Sequence, residues 1–454
     1  MLDVAIVGGG ISGLTLAYEL GERGLKARVF EAKPVAGGNI QTVEEQGFFF
    51  ETGPNGFLSR VPDTYRLAQR LGLEEQVISA SPSAKTRYLC MGGELRALPS
   101  GLLALLRTST LPFGARLRVL KEPFVGRRPT DVREETIAQF VGRRLGHALV
   151  DSYADAFVSG VFAGDPNRLS VDAAFPGMVT TEATHGSLVR GGIRAARARK
   201  KTHADIPKGL LSFSGGMGVL VRALEDQLGS DGLQLDTPVR ALKQADEGWE
   251  IYVDGESVRA QTVVVATPAH CASDLIKEFH AESASRLLEI PYAPIGVVGL
   301  GFAREHIGHA LDGFGYLCPE KEGQAILGCL FSSSIYAGNR AADDQVLLRI
   351  MLGGIRHPEA IEGSETEVIG RALDAIRGPL GIKGEPHWSK MVRWERAIPQ
   401  YHLGHQALVA TIREPLEDKG LFLHGNAYEG VSVNDCIRTS GALAERIESS
   451  RPSR

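Results

Sequence analysis

The sequence predicts an α/β protein that contains a Rossmann-like nucleotide-binding domain, and three observations lead to this prediction. The chain opens with a buried-strand pattern at residues 3–7, a glycine-rich turn at 8–13 and then an amphipathic helix pattern. A second strand pattern, at 26–30, ends at the acidic residue Glu31. The chain has 454 residues, of which 43% are hydrophobic, and this length accommodates about two or three domains with a sizeable core.

The glycine turn predicts a nucleotide site. Gly8 permits the tight turn, Gly10 lets the backbone approach a pyrophosphate, and Gly13 lets the helix pack on the strand. The helix N-terminus offers aligned N–H groups to the anion, and Glu31 can accept hydrogen bonds from an adenosine ribose. The alternative is a glycine turn without a ligand, but the flanking strand, helix and acid favour a nucleotide. The predicted contacts are Gly8, Gly9, Gly10, Ile11, Ser12, Gly13, Glu31 and Ala32.

Composition argues against several classes of protein. The formal net charge of −4 argues against a nucleic-acid binder. The five cysteines are scattered without a CxxC pair, so neither a disulfide framework nor a zinc site is predicted, and a reducing cytosol is the expected compartment. The 12 histidines show no metal-ligand spacing, so no metal is predicted. No apolar stretch is long enough for a spanning helix, and any membrane contact is expected to be peripheral.

Four separated elements resemble the FAD-binding, amine oxidase-like flavoproteins. They are the glycine pair Gly37-Gly38, the segment Thr237-Pro238-Val239, the string VVVATPA at 263–269 and the string GNAYEGVSVNDCI at 425–437. The resemblance implies one FAD per chain. Amine oxidases attach their flavin to a cysteine in the interval between Cys329 and Cys436, and this chain has none there, so non-covalent binding is expected.

Because these elements lie at both ends and in the middle of the chain, the FAD-binding domain is predicted to be discontinuous. Its parts are placed at residues 1–62, 211–270 and 405–454. A mixed substrate-binding domain is predicted at 63–94, 190–210 and 271–404, where short β-like runs such as VLLRIMLGG occur. Residues 95–189 are predicted to form a helical domain, since apolar residues recur there at helical spacing.

Six further strings narrow the resemblance to the protoporphyrinogen oxidase family, together with the related coproporphyrinogen III oxidases. They are GPNGFLSR, KTRYLCMGGELRALPSGL, VSGVFAGDPNRLSVDAAFP, DGFGYLCP, RWERAIPQYHLGH and GNAYEGVSVNDCI. The family implies three parts, namely an FAD domain, a substrate domain and a helical membrane-associated domain. It also implies a six-electron oxidation of a porphyrinogen in three two-electron steps, with FAD as cofactor and molecular oxygen as acceptor.

The resemblance also implies roles for individual residues. Arg87 resembles an arginine that binds a substrate propionate, and guanidinium geometry suits a carboxylate. Gly164, Leu317, Leu330 and Met351 match positions that line the substrate pocket, although a turn glycine and core apolar residues give the same pattern. No catalytic side chain is assigned, because the chemistry takes place at flavin N5. The implied flavin contacts are Gly38, Asn39, Gly53, Pro54, Asn55, Val239, Trp394, Gly430, Val431, Ser432 and Val433.

Two basic stretches have two interpretations each. In residues 101–128, apolar residues accompany six basic ones. Composition alone favours a core-packing helix with a solvated basic face, whereas the resemblance favours contact with an anionic membrane surface. Residues 190–208 are predicted to line an entrance for an acidic ligand or to form a solvated loop. The expected localisation is cytoplasmic and peripherally membrane-associated, and the ferrochelatase of the next pathway step is a candidate partner.

Other functions remain open on the sequence alone. Protoporphyrinogen IX is the expected substrate, and coproporphyrinogen III, oxidised by the same mechanism, is the alternative. An FAD-dependent sugar mutase, an amine oxidase or a non-catalytic FAD-binding scaffold are alternatives of other classes. Oxygen uptake with a porphyrinogen separates an oxidase from a mutase, and anaerobic bleaching of bound flavin by substrate separates an enzyme from a scaffold.

Overall fold

The computed structural model describes residues 1–99, 101–202 and 206–450. Its strands are, in chain order, Leu2–Val7 (β1), Ala27–Phe30 (β2), Thr42–Glu45 (β3), Phe48–Glu51 (β4), Phe57–Leu58 (β5), Val77–Ser79 (β6), Thr86–Met91 (β7), Glu94–Ala97 (β8), Leu210–Phe213 (β9), Leu233–Gln234 (β10), Ala241–Gln244 (β11), Trp249–Val253 (β12), Glu256–Val265 (β13), Tyr292–Ala303 (β14), Gly313–Leu317 (β15), Ile326–Phe331 (β16), Gln345–Gly353 (β17), Trp388–Pro399 (β18) and Leu421–Leu423 (β19).

The helices are, in chain order, Ile11–Glu22 (α1), Asp63–Arg70 (α2), Leu102–Arg107 (α3), Phe113–Leu120 (α4), Ile137–Leu145 (α5), His147–Leu149 (α6), Asp155–Phe162 (α7), Val171–Ala174 (α8), Pro176–His185 (α9), Leu188–Thr202 (α10), Gly218–Gly232 (α11), Ala269–Ile276 (α12), Ala281–Leu287 (α13), Ser332–Ile335 (α14), Glu365–Leu380 (α15), His405–Glu417 (α16) and Val433–Ser449 (α17). Strands and helices together confirm the predicted α/β class.

The first large sheet has the predicted Rossmann-like core. Its order is β10-β2-β1-β13-β12-β11, with β19 also paired to β13, and the neighbours β1, β2, β10, β13 and β19 run parallel. Its central apolar strands are buried on both sides, as parallel strands usually are. Helices α1, α11 and α17 cover one face, and α12, α13 and α16 cover the other. The strands come from residues 2–30, 233–265 and 421–423, so this sheet is discontinuous in sequence.

The second large sheet has the order β18-β14-β17-β16-β15-β7-β8. One face packs on α15 through a core that includes Leu300, Ile350 and Ile376. The opposite face receives the phenylalanines of the β3–β4 hairpin, since Phe48 and Phe50 share a cluster with Val297 and Leu347. This hairpin also accepts hydrogen bonds from the start of α11 at Thr42 and Glu51, so it connects the nucleotide-type domain to the second sheet.

Helices α3 to α10 form a mainly helical region between Leu102 and Thr202. Its core includes Val119, Phe140 and Val158, and Tyr401 from the segment after β18 reaches into it. Helix α10 runs through the predicted boundary at residues 189 and 190, so the segment expected to be a loop or part of the substrate domain is helical up to Thr202. Residues 203–205 of that basic stretch lie outside the described residues. None of the described helices is both long and apolar enough to cross a bilayer.

Candidate functional site

The glycine turn at residues 8–13 joins β1 to α1, as the sequence predicted. Helix α1 begins at Ile11 without a side-chain cap, so the N–H groups of its first turn are not used by a capping side chain. A Cβ at Gly13 would overlap the carbonyl oxygen of Gly8, whereas a Cβ at Gly10 would meet no atom within 4 Å. Glycine is therefore required at 13 for close packing, and Gly10 borders open space in front of the helix N-terminus.

Glu31 and Val239 lie at one end of this turn. The Glu31 carboxylate accepts hydrogen bonds from the N–H of Gly9 at 2.6 Å and from the N–H of Lys33 at 2.9 Å. The carbonyl of Glu31 accepts from the N–H of Thr237 at 2.8 Å, which holds the segment ending at Val239 beside it. Each carboxylate oxygen keeps a second lone pair. Glu31 is thus oriented by the turn and can still accept hydrogen bonds from a ribose.

The glycine pair and the turn at residues 51–55 lie at the other end. The N–H of Gly37 donates to Gly9 O at 2.7 Å, which places Gly38 and Asn39 beside the glycine turn. Gly53 packs so closely on Asn39 that a Cβ there would overlap the Asn39 carbonyl oxygen. Within the described chain, neither the amide nitrogen nor the amide oxygen of the Asn55 side chain has a hydrogen-bond partner, and both are buried. This turn therefore offers an unused donor and acceptor.

The C-terminal motif reaches the same place through α17. Ser432 caps α17, its Oγ accepting from the N–H of Asp435 at 3.1 Å. Further along α17, Ser440 Oγ donates to the carbonyl oxygen of Ser12 at 3.0 Å, so α17 is bonded to the first turn of α1. Asn434 Nδ2 donates to the carbonyl oxygen of Leu58, just after the 51–55 turn. These bonds bring the segment 430–433 to the region that the glycine turn and residues 53–55 share.

FAD, the cofactor that the resemblance implies, fits this site on two structural observations. The first turn of α1 is uncapped and faces open space at Gly10, which suits a pyrophosphate. The side chain of Asn55 carries a buried donor and acceptor without partners in the described chain, which suits a polar ring edge. The residues that would hold it run from Glu31 and Val239 through the glycine turn to residues 53–55, Trp394 and 430–433.

The strand register places the predicted substrate residues on one face of the second sheet. Leu317 and Met351 are both paired with Gly328, and Leu330 is paired with Gly315, which in turn is paired with Arg87. Directly paired residues share a face, and so do residues two apart along a strand. Arg87, Leu317, Leu330 and Met351 therefore point to the same side, which is the side of the β3–β4 hairpin and not the side of α15.

Arg87 is exposed near the edge of that face. Its guanidinium carbon lies 5.1 Å from the ring centroid of Phe314, at the point where the register between β7 and β15 shifts. Arg87 forms no ion pair with any residue that the structure describes. The cation is therefore held against an aromatic ring, with its hydrogen-bond donors available to an anion.

Gly164 lies where the helical region meets the second sheet. A Cβ at Gly164 would come within 2.8 Å of Leu169, and the side chain of Gln400 would also obstruct it. Ala163 O accepts from the N–H of Ile355 at 2.8 Å, two residues beyond β17. Leu317 packs against Gly160 of α7, where a Cβ would be 2.7 Å from a Leu317 methyl group. Helix α7 and the following turn thus close one side of the sheet face that carries Leu317 and Met351.

The structure adds residues that sequence patterns did not single out. Arg349 lies on the same face as Met351, and its guanidinium donates to the carbonyl oxygens of Glu51 at 2.8 Å and Gly53 at 2.7 Å. Burial lowers the pKa of Arg349 to about 10, and burial raises the pKa of the Glu51 carboxyl group. Gln400 is fully buried and donates to Phe162 O at 2.8 Å. An isolated arginine within the apolar run VLLRIMLGG was the available signal for Arg349.

Comparisons with known proteins show the family and the fold of this chain. The chain matches the model of the flavin containing amine oxidoreductase family over residues 11–448. It is 33% identical to protoporphyrinogen oxidase of Homo sapiens over 99% of both proteins, and 28% identical to coproporphyrinogen III oxidase of Bacillus subtilis (strain 168) over 96% of this chain and 95% of that protein. A crystal structure of a protein from Exiguobacterium sp. 255-15 matches with a TM-score of 0.83 at 24% identity and covers 99% of each chain, which supports the fold.

Proposed function

The chain belongs to the flavin containing amine oxidoreductase family, and from this we propose that it is an FAD-dependent oxidase that converts protoporphyrinogen IX to protoporphyrin IX. The macrocycle loses six electrons and six protons in three two-electron steps. Three molecules of oxygen take them up as three molecules of hydrogen peroxide. Coproporphyrinogen III, which carries two propionates where protoporphyrinogen carries vinyl groups, is the alternative substrate in the same class.

The observation that carries the proposal is the composition of one sheet face. Three apolar side chains, Leu317, Leu330 and Met351, share that face with the exposed cation Arg87. A porphyrinogen has the complementary chemistry, namely a broad apolar ring with carboxylates at its periphery. The similarity to protoporphyrinogen oxidase of Homo sapiens extends over 99% of this chain, so it includes every segment that builds the face.

The protein residues would bind and orient the substrate. Arg87 would pair with a propionate at the edge of the face, while Leu317, Leu330 and Met351 pack on the macrocycle and exclude water. Bound FAD would supply the redox chemistry, with oxygen as the final electron acceptor. No proton acceptor is assigned among the side chains, because pyrrole N–H protons can leave by tautomerisation as aromaticity develops. Orientation and dehydration are therefore the main contributions of the protein.

A fluorimetric assay of the purified, FAD-loaded protein with each porphyrinogen in turn tests this proposal. Formation of the fluorescent porphyrin with about one oxygen consumed per two electrons is the expected result, and the ratio of kcat/KM for the two substrates identifies the preferred one. Absence of oxidation of either porphyrinogen, with flavin bound, would refute the proposal. Turnover of a UDP-sugar without net oxygen uptake would instead identify a mutase. Oxygen uptake with an amine as the substrate would identify an amine oxidase.

We also propose that the helical region binds a membrane surface, and apolar side chains support this more than basic ones do. Phe113 is 69% exposed and Phe124 is 83% exposed, with Leu117 and Leu120 exposed nearby. Three of the six basic residues expected to contact the lipid have acceptors within the protein: Arg116 donates to Leu106 O and Leu111 O, Arg118 donates to Arg143 O and Arg144 O, and Arg128 pairs with Asp172. The other three, Arg107, Lys121 and Arg127, are exposed. Insertion of aromatic side chains is thus proposed as the main driving force. The protein would act at the cytoplasmic face, where a ferrochelatase could receive its product.

A further inference from the structure

Three consecutive carbonyl groups of the 51–55 turn accept hydrogen bonds from side chains of the second sheet. Arg349 Nε donates to Glu51 O at 2.8 Å and Arg349 Nη2 donates to Gly53 O at 2.7 Å. Between them, Trp394 Nε1 donates to Thr52 O at 3.0 Å. We call these three bonds the carbonyl clamp. It joins a turn of the FAD-binding part to strands β17 and β18, which lie far away in the sequence.

The remaining nitrogen of Arg349 faces the substrate side. Its Nη1 has the sulfur of Met351 as its only partner in the described chain, at 3.7 Å. Arg349 is also the direct strand neighbour of Leu330. One side chain therefore contacts the flavin-side turn with two nitrogens and the proposed substrate face with the third.

This arrangement is energetically expensive, which argues against a purely structural role. Arg349 is 6% exposed, and its guanidinium bonds to neutral carbonyl oxygens and not to a carboxylate. The Glu51 carboxylate is itself occupied by the N–H of Met217 at 2.8 Å and by Thr42 Oγ1 at 2.9 Å. A buried cation without a direct ionic partner costs folding free energy. Groups kept at such a cost are concentrated at functional sites.

We propose that Arg349 is a positioning residue for the cofactor: through the carbonyl clamp it fixes the 51–55 turn, and with it the unpartnered amide of Asn55, against the substrate face. The planar guanidinium suits this role because its donors reach carbonyls of residues i and i+2 at once. A side chain with a single N–H or O–H donor could hold only one of them. Fixing the turn before FAD arrives reduces the ordering cost of binding.

The inference concerns FAD itself and uses the proposed function only in naming the neighbouring face. Its test therefore needs no porphyrinogen. Apoprotein is titrated with FAD while flavin fluorescence is followed, and the visible spectrum and midpoint potential of the bound flavin are then measured. A failure to oxidise either porphyrinogen would refute the proposed function and leave these flavin measurements interpretable.

Three variants and a matched control separate positioning from general stability. Arg349→Met should weaken FAD binding by roughly ten- to hundredfold, because two carbonyls lose charged donors. Arg349→Lys, which retains the charge but not the fork of donors, should not restore the affinity. Trp394→Phe removes one bond of the clamp and should give a smaller loss, about threefold, in the same direction. The control is Arg340→Lys, since Arg340 is also buried and lies 3.6 Å from the Glu51 carboxylate but bonds to Ser212 and Phe213.

The outcomes decide between two roles. Weaker FAD binding and an altered flavin spectrum in both Arg349 variants, with normal values in the Arg340 control, would support positioning. Wild-type affinity, spectrum and potential in the Arg349 variants, with only a lower Tm, would show that Arg349 is structural and would overturn the proposal. Full restoration by Arg349→Lys would show that charge alone matters, which also overturns it. If the Arg349 variants do not fold, Trp394→Phe becomes the deciding variant, and unchanged FAD affinity in it overturns the proposal.

Discussion

Replacing Arg87 with alanine should weaken porphyrinogen binding while leaving FAD content normal. Arg87 is exposed on β7, stacks on Phe314 at 5.1 Å and forms no ion pair with described residues, so its donors are free for a propionate. A hydrogen bond to a charged group contributes about 1.5–3 kcal/mol. At about 1.4 kcal/mol per factor of ten, this corresponds to a roughly ten- to hundredfold loss in kcat/KM. Because solvent screens an exposed cation, we expect the lower half of that range.

Steady-state fluorimetry on flavin-replete enzyme measures this effect. If Arg87 binds the propionate equally in the ground and transition states, KM should rise while kcat stays constant. Arg96→Ala is the matched control, since Arg96 lies on the adjacent strand β8 and contacts Glu94 at 3.7 Å. An unchanged kcat/KM for both porphyrinogens in Arg87→Ala would refute the reasoning and would direct attention to the basic residues of α10.

Three more outcomes are expected. Burial raises the pKa of the Cys436 thiol to about 11, so the thiol stays protonated in the native protein and does not form a covalent bond to the flavin. Acid precipitation should therefore release all FAD into the supernatant, and flavin left in the washed pellet would contradict this. The double substitution of Phe113 and Phe124 by serine should abolish flotation with liposomes. If salt removes the flotation of the wild-type protein entirely, the binding is electrostatic and the aromatic side chains are not the main driving force. Burial lowers the pKa of His424 to about 4, below its unfolded value, so its contribution to stability is complete above about pH 6.5 and is lost as the pH falls towards 4. Urea unfolding of His424→Gln should accordingly show a smaller loss of stability between pH 7 and pH 5 than the wild type.

Local patterns were enough to predict the parts of the fold that local physics determines. The strand, glycine turn and helix at residues 2–22 follow from apolar periodicity and from the steric demands of Gly8 and Gly13. The short β-like run VLLRIMLGG indicated a strand, and β17 covers it up to Gly353. Which side chains of neighbouring strands share a face of the sheet depends on the strand register. The spacing of apolar residues along one strand does not specify that register.

The contacts that the sequence did not predict are long-range or depend on helix ends. The bond between Arg349 and Glu51 joins residues 298 positions apart, and no local pattern encodes such a pair. The basic face expected at residues 101–128 is partly turned inward, because the carbonyls at the C-terminal end of α5 need donors and Arg118 supplies them. On average, a charged residue in an amphipathic pattern is exposed to solvent. A nearby carbonyl group that needs a donor can instead hold the charged side chain against the protein.

The discontinuous first sheet has a consequence for how the chain is made. Strand β13 pairs on one side with β1, near the N-terminus, and on another with β19, which ends at Leu423. Helix α17, beyond β19, packs on α1. During synthesis the glycine turn therefore emerges first and meets Glu31 and Gly37 early, but its contact with α17 forms only when almost the whole polypeptide has been made. High sequence separation of this kind slows folding and prolongs exposure of apolar strands. We expect nascent chains that end before residue 421 to need chaperone protection, and cofactor capture to be one of the last events in the maturation of this protein.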